Sequence, residues 1–541
     1  MLTALLFAAA GRAAQPTATP SGRTWQSDGS AADVQKIHDR QASDGDTIVI
    51  PKGTFSWTSE VRLTKAIILK GQTIRNDDGT SIDNTNIQDN IPRSTKKGLI
   101  TLSAPGGQRI TGISFVQGSI TQNGQNGMIR IQGTTPTRID HCVFDHLYWS
   151  PYVMVNDYNW GVLDHCTKRN PISNEGILHF RAGSASGDHG DTPFTQPTGY
   201  GGPNFFFVED NLTWGGMDLT LGAKVVVRHN LFMNANMASH GTGRTYHDGR
   251  GARACEIYDN EFRLNYTTLT GGNSGTVLVH DNLIKKYDGG NVIGTNLGVN
   301  RTIYSSGPPF YGADGRNPWD LNATEPDGSH IDGHPPYLFD SGTISSVTTA
   351  TVTDSTKNWP TNRWQGYSVR RPSDGATAQI ISNTNNTLSI FQWRSQGFAA
   401  GNTYEIRKVI QVLDQPGLGA QVGTMKRNNP RWMQQATEPC YSWNNVDANN
   451  NQVDFKQGTG GAPVTEGRDY FNRTAMPGYT PYTYPHPLTT SLSPPQPRAG
   501  VKVGSRHHFY KKEKNEAKKA RRKKWGHAKE NLANEMTQPD Q

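Results

Sequence analysis

Between Ala31 and Ala42 (AADVQKIHDRQA) the apolar positions Val34, Ile37 and Ala42 recur at helical spacing, and the chain runs at once into DGDTIVIPKGTFSW, Asp44 to Trp57. The pattern predicts a short amphipathic helix feeding a strand, placed to lid one end of an elongated β-structure whose open end needs covering. AIILKG, Ala66 to Gly71, reads as a second strand. Beyond it the apolar residues fall in short β-branched runs broken by Gly, Asn, Asp and Thr, not in the long periodic stripes of a helical bundle. This argues against an all-α fold. No apolar run reaches the ~18 residues that a membrane-spanning helix requires, so the mature protein is expected to be soluble.

Six of the short runs superimpose: RIDHCVF (Arg138 to Phe144), VLDHCTK (Val162 to Lys168), FVEDNLT (Phe207 to Thr213), VVRHNLF (Val226 to Phe232), EIYDNEF (Glu256 to Phe262) and LVHDNLI (Leu278 to Ile284). Their aligned positions, Cys142, Cys166, Asn211, Asn230, Asn260 and Asn282, are spaced by 24, 45, 19, 30 and 22 residues. The gap of 45 is read as two turns, with GILHFRAG (Gly176 to Gly183) as an irregular one between. A period of about 22 residues suits one turn of a solenoid made of three short strands and three corners. The repeated Asn would sit at a tight corner, adopt a left-handed backbone and bond through its amide to the next Asn in a ladder. Cys142 and Cys166 would continue the ladder as small buried residues, two packed thiols being favoured over a disulfide. With Cys255 and Cys440 they are too few and scattered for a disulfide-dense scaffold or a CxxC metal site.

The helix leading into DGDTIVIPKGTF, followed by iterated V-x-x-N-x-F units, resembles the pectate lyase-like (pectin lyase fold) superfamily of right-handed parallel β-helix proteins. The resemblance covers about Ala31 to Tyr287 and reaches towards Asn445 through CYSWNN (Cys440 to Asn445). It implies an all-β right-handed solenoid with an N-terminal capping helix. It does not specify chemistry, because the fold hosts lyases, hydrolases, epimerases and non-catalytic adhesins.

Other segments complete the expected organisation. Leu2 to Ala10 is apolar and ends in Ala8-Ala9-Ala10, the form of a signal-peptidase site, so residues 1–14 read as an export signal and 15–30 as a linker. The solenoid is expected over 31–340. Closely spaced strand patterns with DG and NN turns mark an inserted antiparallel β-module at 341–409, whose Trp359, Trp364 and Trp393 are either glycan-stacking faces or core. A last solenoid turn and loops follow over 410–500.

Apolar residues make up 34% of the 541-residue chain, with 58 Gly and 31 Pro. The net charge of +8 suggests a nucleic-acid partner until it is localised. Residues 501–541 hold 12 Lys+Arg against 5 Asp+Glu, leaving 42 against 41 for residues 1–500. The body is near neutral, and the basic tail is either a salt-sensitive contact for anionic polymer or a solvated segment.

The densest polar cluster, Ser239 to Arg253 (SHGTGRTYHDGRGAR), falls where the repeat stretches to 30 residues, as expected of a loop extruded on one face. β-Elimination of a uronate needs its carboxylate neutralised and a base near the C5 proton. Arg250 and Arg253 are the expected carboxylate clamps, with His247 or Tyr246 abstracting the proton and His240 as the other proton-transfer group. Lys224, Arg228, Arg244, Trp214 and Asp218 are expected to bind substrate. Superfamily relatives often use calcium as the neutraliser, for which Asp188, Asp191 and Asp248 are the candidate ligands, although no calcium motif is spelled out. Hydrolysis would instead need two carboxylates, drawn from Glu209, Asp210, Asp218 and Asp248. Set against both, Arg250 and Arg253 flanking glycine read equally as corner residues, and His165, His229 and His280 as structural stacking at equivalent repeat positions. The expected function is an exported enzyme cleaving an acidic polysaccharide by β-elimination, the rivals being a glycoside hydrolase and a non-catalytic glycan-binding protein.

Overall fold

The computed structural model describes residues 22–92, 98–120, 127–133, 136–145, 152–169, 177–181, 190–235, 237–239, 250–265, 268–272, 274–287, 289, 292, 294–297, 338–374, 376–391, 397–408, 414–421, 435–457 and 464–490. Expectations on 1–14 and on the tail at 501–541 lie outside them. Within them the chain is mostly β, dominated by three parallel sheets of 12, 10 and 10 strands.

The sheets take strands in rotation. Thr47–Val49 belongs to the first, Gly53–Trp57 to the second and Val61–Leu63 to the third, after which Ile68–Lys70 returns to the first. The order is kept through Gly294–Leu297 and resumes with Cys440–Trp443, Val446–Asp447 and Phe455–Gln457. The segment expected as a linker contributes a strand of its own, Thr24–Gln26, parallel to Thr47–Val49. Strand residues alternate between an interior stack of Ile, Val, Leu and Phe and an outward row. Phe115 stacks on Phe144 at 5.4 Å and Phe232 on Phe262 at 5.0 Å, so each coil repeats the apolar surface of the one before.

The helix is Ala31–Arg40, capped by the Ser30 side chain, which accepts from the Asp33 N–H. It buries Val34 and Ile37 in the solenoid core, and Gln35 ties it to Arg62 on the first coil.

The asparagine file forms as the repeat predicts. Asn211, Asn230 and Asn260 each donate from Nδ2 to Oδ1 of the next Asn at 3.0 Å, and Asn282 donates to Asn445 at 2.8 Å. Each acceptor oxygen also takes the backbone N–H of the previous Asn, and Asn211 takes that of Cys166. The left-handed backbone, however, belongs to the residue before each Asn or Cys: His141, His165, Asp210, His229, Asp259, Asp281 and Asn444 all have φ between 50° and 59°. The Asn side chain satisfies the corner's polar groups while its neighbour makes the bend. All four cysteines are free and buried.

Two further expectations are corrected. Asp164 pairs directly with Glu209, so the gap of 45 residues is one coil, and GILHFRAG supplies its third-sheet strand, Leu178–Arg181. The extra length is the connection that follows, which includes the short helix Asp191–Phe194. His280 pairs with Tyr258 and Trp443, placing it one position before the corner occupied by His165 and His229. It stacks on Trp443 at 4.1 Å, and His141 stacks on His165 at 5.1 Å.

In the chain, between Gly294–Leu297 and Cys440–Trp443, comes a seven-stranded antiparallel sheet formed by strands from Leu338–Thr343 to Thr403–Lys408. Trp359 and Trp364 are in its core, and Trp359 Nε1 donates to Asp340 at 2.6 Å. Trp393 lies outside the described residues.

A candidate functional face on the third sheet

Strand alternation decides which side chains of the third sheet point out of the core, although Arg130 and Met154 among them are buried. Ile129, Ile131, Val153, Val155, Leu178, Phe180, Met217 and Leu219 enter the core, leaving Arg130, Met154, Arg181, Asp218 and Thr220 on the outward side. Register makes Arg130 the neighbour of Met154, sets Asp218 opposite His179, and aligns Arg181 with Thr220. Arg181 is half-buried, its Nε is closed to solvent without a hydrogen-bond partner, and no ion pair engages it among the described residues. At the same third-to-first-sheet corner, one coil earlier, the indole N–H of Trp160 is also buried and unpartnered. Among the described residues these two donors have no acceptor, a state that costs ~1–3 kcal/mol for a buried donor.

The predicted site residues divide around this face. His240, Arg244, Tyr246, His247, Asp248 and Asp188 lie outside the described residues. Residues 240–249 follow the third-sheet strand Met237–Ser239 in the chain, and 182–189 follow Arg181. The excursion after Arg181 returns at Gly190, whose φ of 94° and close approach to Leu221 and Gly222 leave no space for a Cβ.

Arg250 and Arg253 do clamp carboxylates, but those of this chain. Arg250 is 1% exposed; its Nε and Nη2 donate to Asp414 at 2.6 and 2.5 Å, and its guanidinium lies 3.9 Å from the Phe194 ring centroid. Arg253 is fully buried, bonds the carbonyls of Pro193 and Gln196, and pairs with Glu438 at 2.8 Å. Both tie Asp414, Glu438 and the stretch around Pro193–Gln196 to the coil, which takes them out of the expected clamp role. A buried guanidinium needs a fixed counter-charge, and here the sequence provides it from far along the chain.

The proposed substrate-binding set is dispersed over three sheets, because residues a few positions apart cross a corner and face different ways. Trp214 belongs to the second sheet beside Met233, Asp218 to the third, and Arg228 to the first. Arg228 is fully buried; it pairs with Glu209 at 2.7 Å, donates to Tyr258 Oη, and holds the carbonyls of Tyr482 and Thr483. The strap Tyr479–Thr490 thus lies over the outer face of the first sheet. Lys224 lies on that sheet too, 4.4 Å above the Phe205 ring centroid. Burial and the neighbouring Arg253 charge lower its pKa to about 8, with Glu256 and Glu438 opposing.

The hydrolytic carboxylates are likewise not gathered. Glu209 is enclosed with Arg228 under the strap, burial raising its pKa, while Asp210 is a corner residue that accepts from Tyr484 Oη at 2.7 Å. Asp218 lies on the third sheet, whereas Glu209 lies on the first. For calcium, Asp191 lies 3.7 Å from Arg250, a cation that competes for the same carboxylate. Among the described residues no three His, Cys, Asp or Glu gather as a metal would require, so no step is derived through calcium.

Sequence reading missed Arg181 because GILHFRAG was set aside as irregular. Its signal was present: Leu178 and Phe180 alternate with polar residues at a period of two, the mark of a strand with one wet side. Searches for relatives found none: no protein-family model matches the chain, and no curated protein matches it significantly.

Proposed function

We propose that the chain is an exported polysaccharide lyase that acts on a uronate-containing glycan along the outer face of the third sheet. The observation carrying this reading is the Arg181 guanidinium, which has no partner among the described residues and lies beside Thr220 and near Asp218, whereas Arg228, Arg250 and Arg253 on later coils are neutralised internally. Arg181 would bind the uronate carboxylate in the plane of its guanidinium, which withdraws charge from the carbon α to it and eases loss of the C5 proton. From sequence alone, abstraction of the C5 proton is assigned to His247 or Tyr246, and His240, as the other proton-transfer group, would protonate the departing O4 as the C4–O bond breaks; all three follow a third-sheet strand in the chain.

The same proposal makes the fold a right-handed parallel β-helix of pectate lyase-like type. The general preference of parallel crossovers for that hand, about 98%, supports it, as does the asparagine file. The helix at Ala31–Arg40 serves as the cap, since it meets the first coil and buries Val34 and Ile37 there.

The test is incubation of the full chain with polygalacturonate, polymannuronate and a glucuronate-containing glycosaminoglycan, with and without chelator. Lyase action gives an ultraviolet-absorbing unsaturated uronate at each new non-reducing end. New reducing ends without that absorbance would establish a hydrolase instead, and polymer retention without either would establish a binding protein.

A further inference from the structure

A second cavity lies at the asparagine corner, between the first and second sheets and beneath the hairpin of Ile74–Arg75 and Ser81–Ile82. Its volume is about 410 Å³, and its lining includes Arg75, Asp77, His165, Asp210, His229 and the leucine pair Leu212 and Leu231. The size suits a small organic molecule.

Counted among the described residues, the groups facing it have bonding capacity left over. Arg75 is 8% exposed; Nε and Nη2 reach Thr167 Oγ1 and the Asp210 carbonyl, both at 3.3 Å, and Nη1 is uncommitted. His165 spends Nδ1 on Asp164 at 3.0 Å, leaving Nε2. His229 makes no ring hydrogen bond among the described residues; its Nε2 lies 3.9 Å from Asp259 and one face rests on Tyr484, 3.7 Å between centroids. Asp77 makes no hydrogen bond among the described residues, although its charge and that of Asp210 act on Arg75, and Asp210 has one oxygen on Tyr484. Asp78, also at the rim, is held by Thr80.

We propose that this cavity binds a neutral sugar, a mono- or disaccharide, at a site separate from the third-sheet face. Asp77, Asp78 and Asp210 repel an anion, while Arg75 offsets part of their pull on a cation. A polyol satisfies both, because each hydroxyl donates to a carboxylate and accepts from Arg75 Nη1 or His165 Nε2. The sugar's C–H face lies on Leu212 and Leu231, which are half-buried and would otherwise face water. Register puts these leucines side by side at the starts of adjacent second-sheet strands, making one flat apolar floor.

The site is tested on the full chain by histidine side-chain NMR, with His165→Gln and His229→Gln assigning the signals. The probes are the methyl glycosides of glucose, galactose and mannose, the disaccharide cellobiose, and as charged controls glucosamine, glucuronate and inorganic phosphate. At least one neutral probe is expected to move both histidine signals saturably, while the charged probes do not. Asp77→Asn, on an exposed turn, is expected to weaken binding about tenfold, and Leu231→Glu to abolish it with the melting temperature unchanged. Failure of every neutral probe to move both signals, tighter binding of any charged control, or wild-type affinity in Asp77→Asn would overturn the proposal. None of these outcomes depends on whether the third-sheet face is catalytic.

Discussion

Arg250 holds Asp414 in a two-pronged ion pair across 164 residues of sequence, with both side chains buried and Gln435 Nε2 adding a third hydrogen bond to the carboxylate. The pair fastens the chain that returns from the inserted sheet to the coil near Ala254–Tyr258. Removing one partner strands a buried charge, so Arg250→Ala is expected to lower stability by ~3–5 kcal/mol. The double variant Arg250→Met with Asp414→Leu should recover most of that loss. Urea unfolding of the three chains checks both statements, and a double variant no better than Arg250→Ala would refute them.

The asparagine file predicts position-dependent costs. Asn260 Nδ2 donates to the Val227 and Tyr258 carbonyls as well as to Asn282, and its Oδ1 accepts from both Nδ2 and backbone N of Asn230. Asn260→Ala leaves these groups buried and unpaired at ~1–3 kcal/mol each. Asn211→Ala is expected to cost less, since Asn211 Oδ1 serves only the Cys166 N–H. Thermal denaturation of the two variants in parallel gives the ranking.

On the third sheet, Arg181→Ala is expected to cut kcat/KM on an acidic polymer by about 10- to 100-fold, the effect of losing a hydrogen bond to a charged group. Its melting temperature should be unchanged or slightly raised, because no described partner is lost. Arg181→Lys should recover part of the activity by keeping the charge without the planar fork. Equal loss of stability and activity would make Arg181 structural.

Lys224 gives a pH signature. Its pKa is lowered from 10.5 to about 8 on folding, so the unfolded chain binds the extra proton between those values. Stability therefore rises with pH across that window, and the cost of the buried charge is fully present below its lower end. Lys224→Met should accordingly be more stable than the parent at neutral pH, with the advantage shrinking to nothing near the upper end. Denaturation midpoints taken across the window test this; a pH-independent difference would show that lost packing, not charge, is responsible.

The part of the architecture visible in the sequence was the part that repeats. The strand rotation was written in V-x-x-N-x-F spacing because every coil must fill the same interior cross-section and satisfy the same corner. The file from Asn211 to Asn282 followed directly, and Asn445 extended it. The candidate site was legible only as a list of residue types. Ser239 to Arg253 was rightly seen as rich in arginine, but charge in a sequence carries no information on which carboxylate it will meet. Asp414 and Glu438, which meet Arg250 and Arg253, lie beyond an inserted sheet at distances no repeat could announce.

Short-range rules thus sufficed for what each residue does to its own strand: which positions alternate inward, where the backbone bends and which polar side chain repairs the bend. These are decided within a few residues by sterics and local hydrogen bonding. Which arginines remain available was decided only by packing. Winding the coils put Trp214, Asp218 and Arg228 on separate sheets, neutralised Arg250 and Arg253 with distant partners and Arg228 with the register neighbour Glu209, and left Arg181 without a partner among the described residues. Ion pairing depends on separation in space, and in a wound chain that separation is fixed by the register of coils and the paths of insertions.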